Sequence, residues 1–576
     1  MARAFDLVIR NGTVVDGTGG ASFEVDIAIA GKRIAAIGKV SDSGAEEIDA
    51  KGKLVTPGFV DIHTHYDGQA IWSQRLSPSS SHGVTTVVGG NCGVGFAPCR
   101  PEHREMLVSV MEGVEDIPEV VMSEGLTWDW ETYPQYLDAV EKRPRDIDFA
   151  SQIPHSAVRV YVMGQRGADR ERATPDDLKK MQAVVREAIG AGALGFATSR
   201  LIIHKTGRGD AIPTFQAEER ELEAMALALK DCGRGVLQAV FGVPGRTFED
   251  EIDLLSRLTK LSGRPASFSM AQDPAKPDAW RNVMRHLAKA NASGPAIRAQ
   301  VYPRPVGMVL GLDLSVNPFC LCPSYQALAK LSFDQRIAEL RKPEVRARLL
   351  MEQPVDPLVP LSKLGRAFER MYPFNDPPDY EPPEALSIAA QAKARGIEPA
   401  ELAYDMLLEN GGRSMLFVAL ANYANGTLDP VLAMMSDPNC VLGLGDGGAH
   451  YGMICDSSYP TFVLSHWTRD RKGQRMSIER AIKSLAADPA AAVDLNDRGI
   501  LSVGRKADIN VIDYDAVMLP RPTIRYDLPA GGRRLDQAAK GYDATIVSGT
   551  VISRGGAPTG ALPGRLVRGP QTTPVQ

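Results

Sequence analysis

Short apolar runs that alternate with helix-length stretches constrain the fold of this chain more than any other feature. Helical patterns such as residues 175–190 and 219–232 lie between the runs. This alternation is typical of βα units, in which parallel strands are covered by helices. Eight candidate strands predict a (β/α)8 barrel of the TIM type, in the α/β class. They are residues 58–63, 85–90, 148–153, 193–197, 235–240, 266–271, 297–302 and 441–446.

Both ends of the chain show a different pattern, in which apolar and polar residues alternate between turns. Residues 5–16 alternate on either side of Asn11-Gly12, as the strands of a hairpin do. Similar runs occur near the C-terminus, at 507–513 and 544–552. We therefore expect a small composite β-sandwich beside the barrel. Its parts are residues 1–56 and 496–576 with a tail, and the barrel is residues 57–495, interrupted at about 303–385 by an inserted lid or subdomain.

Composition excludes several classes of protein. The chain has 576 residues, of which 44% are hydrophobic, so it can bury a large core and is not disordered. Lysine and arginine (65) do not exceed aspartate and glutamate (70), which argues against a nucleic-acid partner. Seven cysteines without a CxxC pair indicate neither a disulfide framework nor a zinc ribbon. Without a membrane-length apolar stretch or a signal peptide, we expect a cytoplasmic protein without a membrane partner, and homo-oligomer formation stays open.

The strongest signal for chemistry is the sequence GFVDIHTHYD at residues 58–67. Alternate side chains of a strand point the same way, so His63 and His65 share one face at the end of an apolar run. Two imidazoles so placed can hold one metal ion from one side. In a βα barrel this end of the strands is the active face. We therefore interpret His63 and His65 as metal ligands rather than as structural histidines.

A carboxylate lies at the end of the last candidate strand, in the sequence VLGLGDGGAH at residues 441–450. The glycines that follow Asp446 permit close approach of the backbone. A carboxylate there can hold a metal, take a proton from water and pass it on. The alternative is a cap of the following turn or helix. In combination with the two histidines, the position favours Asp446 as metal ligand and catalytic carboxylate.

A cysteine follows the second candidate strand, in the sequence VVGGNCGVG. A thiolate is a good zinc ligand, and its pKa falls beside the ion. From the residues alone, an ordinary buried cysteine is an equally good interpretation of Cys92.

These segments, in this order, resemble a known family. The strands that lead into TPGFVDIHTHYD are similar to the amidohydrolase superfamily, and NCG, GALGFATSR (192–200) and LGDGGAH resemble its N-acyl-D-amino-acid deacylase, or D-aminoacylase, branch. The resemblance covers nearly the whole chain. It implies a metal-dependent hydrolase with a distorted barrel, in which His63 and His65 bind metal, Cys92 is a ligand or bridge, and Asp446 is the catalytic carboxylate.

The chain departs from this branch at two strand ends. D-aminoacylases carry metal-binding histidines after the fifth and sixth strands, where this sequence has Gln238 in LQAV and Gln272 in FSMAQ. No lysine at a strand end obviously suits carbamylation. A glutamine carbonyl is neutral and is a weaker zinc ligand than imidazole, thiolate or carboxylate. We therefore predict one tightly bound zinc ion per chain, held by the four candidates named above.

Five further residues are candidates for lining the pocket and binding substrate. His155 and His204 follow the third and fourth candidate strands, and His450 closes DGGAH. Each of these histidines could instead bond a loop backbone. A substrate carboxylate would be matched by a bidentate arginine, for which Arg200 after the fourth strand and Arg304 after the seventh are candidates.

We interpret the chain as a metal-dependent hydrolase that cleaves the C–N amide bond of an N-acyl amino acid or a similar small amide. In this hypothesis a metal-bound hydroxide attacks the acyl carbonyl, and Asp446 serves as general base and then as general acid. One alternative is a hydrolase of a lactone, a cyclic imide or a carbamate on the same scaffold. A heterocycle deaminase is disfavoured, because the histidine expected on the fifth strand is missing. The third alternative is a metal-free assembly protein. The sequence leaves the substrate, its stereochemistry, the metal and the oligomeric state open.

Overall fold

Strands from both ends of the chain form one nine-stranded sheet in the computed structural model, which describes residues 4–355 and 364–574. The N-terminal strands are Phe5–Val14 (β1), Phe23–Ala30 (β2), Arg33–Gly38 (β3), Gly44–Asp49 (β4) and Leu54–Pro57 (β5). The C-terminal strands are Ile509–Ile512 (β18), Tyr542–Val547 (β21), Thr550–Arg554 (β22) and Ala557–Pro558 (β23). The order is β23-β22-β21-β18-β5-β1-β2-β3, with β4 beside β1, so the antiparallel pair β5 and β18 joins the two ends.

The Asn11-Gly12 turn that the sequence predicts is a bulge within a single strand. β1 runs through both residues, and its pairing with β2 shifts between Ile9 and Gly12. Asn11 has a φ of 57°, and a Cβ on Gly12 would lie 2.3 Å from Val55 Cγ2. The strand continues because it has partners on both sides, and close packing against β5 requires glycine at the bulge.

Parallel strands in two sheets form the centre of the chain and overlap all eight predicted strands. Phe59–Asp61 (β6), Val84–Gly89 (β7) and Asp148–Ser151 (β8) form one sheet in that order. The other sheet contains, in order, Ile153–Pro154 (β9), Gly195–Ser199 (β10), Val236–Val240 (β11), Ala266–Met270 (β12), Ile297–Val301 (β13) and Cys440–Leu442 (β17). Only Gln152 separates β8 from β9, so the two sheets meet in one stretch of chain.

Helices follow most of these parallel strands, and sequence signals set their ends. Thr174 and Thr247 each form a capping box with the aspartate three residues later, Asp177 and Asp250. Gly192, with a φ of 117°, ends the helix Pro175–Ala191 in the left-handed conformation. The helices before β13 are Gln69–Trp72, Arg104–Glu115, Glu119–Gly125, Tyr133–Glu141, His155–Met163, Gln165–Ala168, Pro175–Ala191, Glu219–Cys232, Phe248–Ser262 and Ala279–Ala292.

Most of the chain between β13 and β17 forms a small unit of its own. Val306–Leu310 (β14), Met371–Pro373 (β15) and Leu416–Ala421 (β16) make an antiparallel sheet in the order β14-β16-β15, with an apolar core of its own. The unit extends past the predicted limit of 385 because β16 completes its sheet. Residues 356–363 of the predicted insertion, like residues 1–3 and 575–576, lie outside the described part of the chain. Its helices are Pro323–Gln326, Phe333–Leu340, Pro343–Met351, Ile388–Arg395 and Pro399–Gly412.

The C-terminal part of the chain is tied to the parallel strands. The N–H of Phe149 donates to the carbonyl of Arg565, so the tail lies beside β8. Asp148 is buried and lies 2.8 Å from Arg498 and 3.1 Å from Lys506. The remaining elements are the hairpin Thr523–Arg525 (β19) and Arg534–Asp536 (β20), the helices Asp429–Ser436, Tyr459–Phe462, Ile478–Leu485 and Ala487–Ala492, and a π-helix at Val463–Asp470. Among residues 4–355 and 364–574, no helix has the length and apolar character needed to cross a membrane.

Candidate metal centre and active site

Four donor atoms converge at the ends of the parallel strands. His63 Nε2 lies 3.3 Å from Cys92 Sγ, and Asp446 Oδ1 lies 3.6 Å from Nε2 of both His63 and His65. One donor atom from each of the two histidines and Cys92 lies within 4.8 Å of the others, and all three side chains are buried. The structure therefore brings together the four residues that the sequence predicts as metal ligands.

Backbone hydrogen bonds fix the two histidines against the loop that carries Asp446. The N–H of Asp446 donates to the carbonyl of His63 at 3.0 Å, and the N–H of His65 donates to the carbonyl of Gly447 at 2.7 Å. Asp61, the last residue of β6, accepts from the N–H of His63 at 3.1 Å. Asp446 itself has a φ of 46°, a left-handed conformation that is costly outside glycine. The position of its carboxylate is thus held by the backbone.

A tight turn after β7 places Cys92. Gly90 has a φ of 75°, and a Cβ there would lie 1.9 Å from the carbonyl oxygen of Gln152, so only glycine fits. The N–H of Cys92 donates to Gln238 Oε1 at 3.2 Å. Gln238 therefore holds the backbone of a candidate ligand at the strand end where the related branch has an imidazole. Gln272 has a different task, because its Oε1 accepts from the N–H of Ala424 at 3.1 Å.

Two side chains that the sequence analysis missed orient the histidines. His63 Nδ1 lies 2.6 Å from Gln300 Oε1, and the amide nitrogen of Gln300 donates to Ser267 Oγ at 2.9 Å. An amide oxygen only accepts, so Nδ1 of His63 carries the proton and Nε2 presents its lone pair to the cluster. His65 Nδ1 lies 3.3 Å from Glu115 Oε1, a charge contact without hydrogen-bond geometry, and Nε2 of His65 lies on the side of Asp446. Such outer partners are typical of metal-binding histidines.

Burial and neighbouring charges set the protonation of the cluster. Burial lowers the pKa of His63 to about 4, so its ring is neutral at pH 7. Burial raises the pKa of Asp446, but His65 and His63 outweigh it and hold that pKa at about 2. Burial also raises the pKa of Cys92 to about 12, so a thiolate forms there only when a further positive charge is present.

The donor set fits zinc. Tetrahedral zinc with ligand bonds of about 2.0–2.3 Å requires donors about 3.3–3.8 Å apart. The distances from Cys92 Sγ to His63 Nε2 (3.3 Å) and from Asp446 Oδ1 to Nε2 of both histidines (3.6 Å) agree with this requirement, and three of the donors, from His63, His65 and Cys92, all lie within 4.8 Å of one another. Two nitrogens, one sulfur and one carboxylate oxygen are also the ligand types that zinc prefers.

A cavity of about 380 Å³ opens above the cluster, and two of the predicted substrate-binding histidines line it. His204 Nδ1 lies 2.9 Å from the hydroxyl of Ser199. Burial, with the charges of His450 and His65, lowers the pKa of His204 to about 3, so this ring is neutral. His450 Nε2 lies 3.5 Å from Glu115 Oε2, so Glu115 contacts both His65 and His450.

The other three predicted substrate-binding residues are not among the described residues of the cavity wall. His155 is buried between Thr198 Oγ1 at 2.8 Å and Glu221 Oε1 at 2.7 Å, so both ring nitrogens are occupied. Arg200 forms a buried ion pair with Glu251. These residues follow strand ends as expected, but their side chains pack into the layer between strands and helices.

Arg304 also turns away from the cavity. Its guanidinium bonds Ser458 Oγ at 2.9 Å and Asp456 Oδ1 at 3.0 Å, and lies 4.2 Å from the ring centroid of Tyr380. The structure therefore corrects the expectation that Arg200 or Arg304 presents a free guanidinium to a substrate carboxylate.

Sequence signals for the missed residues differ in strength. Gln300 lies between the apolar residues Ala299 and Val301 near the end of the strand IRAQV, and its side chain is buried. A buried amide at such a position suggests a specific hydrogen-bond partner. Glu115 has no such signal, because it ends an ordinary amphipathic helix, Arg104–Glu115. Only the packing of that helix against the strand ends brings its carboxylate to His65.

A family model described as "Amidohydrolase family" matches residues 46–553. The chain belongs to this family. The predicted superfamily and the prediction of an enzyme of the amidohydrolase type are therefore confirmed.

Relatives and solved structures of this amidohydrolase include N-acyl-D-amino-acid deacylases. The chain is 26% identical over 577 residues to N-acyl-D-glutamate deacylase of Alcaligenes xylosoxydans xylosoxydans, covering 99% of this chain and 97% of that one. D-aminoacylase of the same organism is 35% identical over 199 residues, 34% of this chain and 38% of that one. An uncharacterised protein of Mycobacterium tuberculosis is 29% identical over 592 residues, 96% of this chain and 92% of that one.

The fold agrees with solved structures of the same branch. A D-aminoacylase structure superposes with a TM-score of 0.65 at 23% identity, covering 98% of this chain and 100% of that one. The N-acyl-D-glutamate deacylase of Bordetella bronchiseptica, in complex with zinc and a phosphonate inhibitor, gives a TM-score of 0.65 at 22% identity, with 98% and 99% covered. The predicted mixed α/β class is thereby confirmed.

Proposed function

We propose that this amidohydrolase hydrolyses the C–N bond of a small N-acyl compound with one zinc ion held by His63, His65, Cys92 and Asp446. The observation that carries the proposal is the convergence of their four donor atoms at the floor of the cavity. The names of the relatives, D-aminoacylase and N-acyl-D-glutamate deacylase, support an N-acyl substrate. A bound zinc ion would lower the pKa of water and polarise the acyl carbonyl.

Asp446 is the proposed proton carrier of the reaction. Its low pKa keeps the carboxylate ionised, and its backbone bond to His63 fixes it beside both imidazoles. We assign Asp446 to take a proton from the attacking water and to deliver it to the leaving nitrogen.

His204 is the proposed hydrogen-bond donor to the acyl oxygen. The hydroxyl of Ser199 accepts from the N–H of Leu201 at 3.2 Å, and we assign its own proton to the bond with His204 Nδ1 at 2.9 Å. The neutral ring then carries its proton on Nε2, where it can donate to a developing oxyanion. His450 we assign to the edge of the same cavity, with Glu115 as its partner.

A single ion is proposed because the side-chain oxygens of the two glutamines at the fifth and sixth strand ends are engaged. Gln238 holds the backbone of Cys92, and Gln272 holds that of Ala424. A D-aminoacylase structure is described as having a binuclear metal centre. We propose that this chain differs from it in the number of ions.

We also propose that the two parallel sheets close into one distorted (β/α)8 barrel, flanked by the nine-stranded sheet of both termini. The continuity of β8 and β9 through Gln152 supports closure on one side. On the other side, the backbone bond from Asp446 to His63 joins the ends of β17 and β6. The domain boundaries, the cytoplasmic location and the oligomeric state stay predictions from the sequence.

The test is turnover by protein with a measured metal content. Protein stripped with a chelator is assayed, with and without added zinc, on N-acyl amino acids, uncharged amides, lactones, cyclic imides and carbamates. We expect zinc to restore C–N hydrolysis, and Asp446→Asn to lose about 10²–10⁴ in rate while the thermal melting temperature moves little. Full activity of verified metal-free protein would contradict the proposal. Turnover of lactones or imides alone would favour the alternative hydrolases, and protein that binds no metal and hydrolyses none of these compounds would favour the metal-free assembly protein.

A further inference from the structure

The wall of the cavity that faces the metal cluster is apolar. Leu201, Ile203, Val240, Phe241 and Met270 form much of it, beside Val306 from the small inserted unit. Apolar side chains around a cavity of about 380 Å³ favour a substrate group that gains from leaving water.

The charged groups of the same wall are carboxylates. Glu115, Asp446 and Asp456 line the cavity, and no lysine or arginine occurs among its described lining residues. The guanidinium of Arg304 lies 3.0 Å from Asp456 Oδ1 and is paired with it. Lys205 follows His204 on the loop but is outside the described lining. A second carboxylate brought into this cavity would be desolvated without a lysine or arginine among the described lining residues to pair with, and the imidazole of His450 already faces Glu115 Oε2 at 3.5 Å.

The loop that supplies part of the apolar wall is held in place. The N–H of Gly207 donates to the carbonyl of Ser109 at 2.6 Å. Gly113 lets the loop approach the helix Arg104–Glu115, because a Cβ there would lie 2.2 Å from the carbonyl carbon of Thr206. Ile203 is 63% exposed although it lines the cavity, and Ile202 beside it is 43% exposed without lining it. Ile203 is therefore available to cover a bound apolar group.

We propose that the substrate is an uncharged N-acyl amine whose apolar group lies against Ile203, Phe241 and Met270, and that it carries no free carboxylate. This inference rests on the proposed function. It separates the chain from relatives whose names specify N-acyl-D-glutamate and N-acyl-D-aspartate. This difference in substrate follows from the wall of the cavity, where apolar side chains and carboxylates lie at the positions at which a substrate carboxylate would need a cation.

Matched substrates test the proposal. N-acetyl-2-phenylethylamine has the apolar group and the scissile bond, and N-acetyl-D-phenylalanine and its L-enantiomer add only a carboxylate. On zinc-loaded full-length protein we expect kcat/KM for the uncharged amide to exceed that for either acid by about tenfold or more, because the carboxylate loses hydration without gaining a partner. Calorimetric titration of the same compounds into zinc-loaded Asp446→Asn should give the same order of affinities without turnover.

Two neighbouring substitutions provide the matched variants. Ile203→Arg removes apolar cover and adds a guanidinium at the cavity, so the ratio of kcat/KM for uncharged amide to acid should fall about tenfold. Ile202→Arg adds the same charge beside the cavity and should leave the ratio within about twofold of wild type. Both positions are exposed, so both variants should fold.

The outcomes separate this inference from the proposed function. Equal or preferred hydrolysis of either acid by wild-type protein overturns the inference and leaves zinc-dependent amide hydrolysis standing. An unchanged ratio in Ile203→Arg also overturns it, because the apolar wall then has no part in selection. Failure of the zinc-loaded protein to hydrolyse any amide overturns the proposed function, and the inference with it.

Discussion

Replacement of Glu115 by glutamine tests how the metal centre is held. Glu115 is buried, with Oε1 at 3.3 Å from His65 Nδ1 and Oε2 at 3.5 Å from His450 Nε2. Glutamine keeps the shape and removes the charge. We expect Glu115→Gln to fold and to bind zinc more weakly, because a carboxylate partner raises the basicity of a ligand imidazole and fixes its orientation.

The size of the effect follows from the distance and the burial. Two unit charges about 4 Å apart interact by about 4 kcal/mol at an effective dielectric constant of about 20. The amide dipole keeps part of this attraction, and the cost of burying the carboxylate offsets another part. The part of the attraction that Glu115→Gln removes is consistent with a loss of roughly 10–100-fold in zinc affinity, which corresponds to about 1.4–2.7 kcal/mol of binding free energy.

Zinc affinity and zinc-dependent stability are measured separately. Competition with a chromogenic chelator gives the Kd, and thermal melts with and without zinc give the stabilisation. At free zinc about 100 times the wild-type Kd, binding adds about 2.7 kcal/mol to wild type but only about 1.4 kcal/mol to a site tenfold weaker. The metal-free variant should be no less stable than wild type, because a buried amide costs less desolvation than a buried carboxylate.

The control is Glu105→Gln, which removes the same charge from an exposed position on the same helix. It should bind zinc as wild type does. If Glu115→Gln also binds zinc within about twofold of wild type, the charge of Glu115 does not act on His65, and the account of this centre is refuted.

Two further predictions concern metal content and stability. After desalting, the protein should retain about one zinc ion per chain, and two retained ions would contradict a single metal site. His63→Ala should lose the ion, whereas the control His286→Ala should keep it, because His286 pairs with Asp253 outside the site. Asp148→Asn should lower the free energy of unfolding by about 1.5–3 kcal/mol at pH 7, against a small effect of the exposed Asp138→Asn, because it removes the buried carboxylate that Arg498 and Lys506 share while each cation keeps a second partner, Asp497 or Asp508. Burial raises the pKa of Asp148, but Lys506 and Arg498 outweigh burial and hold this pKa at about 2, below its value in the unfolded chain. The stabilisation by the Asp148 carboxylate is therefore present above about pH 4, and denaturant titrations should show its loss as the pH falls towards 2.

The strands and the cluster could be predicted because their signals are local. An apolar run followed by HTH specifies both a buried strand and the position of two imidazoles at its end, since the period of a strand is two residues. Asp446 follows the same logic at the last strand. Once parallel strands are expected, their ends meet on one face, and the convergence of these residues follows.

Side-chain partners across long sequence distances could not be predicted in this way. Arg200 follows a strand end as the sequence indicates, yet its guanidinium pairs with Glu251 from the next helix. Nothing in the residues around Arg200 distinguishes a free cation from a paired one. The same holds for Glu115, whose role depends on how one helix packs over the cluster.

The bulge at Asn11-Gly12 shows the limit of turn signals. An Asn-Gly pair favours positive φ, which both a hairpin turn and a bulge require. The sequence alone cannot distinguish them, because the outcome depends on whether the strand has a partner on each side. Here β2 and β5 provide those partners, so the strand continues through the pair.

Gln238 explains how the cluster keeps its cysteine without an imidazole on the fifth strand. Its side chain must accept from the N–H of Cys92 while remaining uncharged beside two candidate ligands. An amide meets both needs, and Nε2 of His63 lies 3.3 Å from Cys92 Sγ, where its lone pair can accept from the thiol. With Gln300 bonded to His63 and Glu115 in charge contact with His65, each of three proposed ligands then has a separate outer partner. In the proposed one-ion centre, the oxygens of Gln238 and Gln300 position ligands and are not free for a second ion.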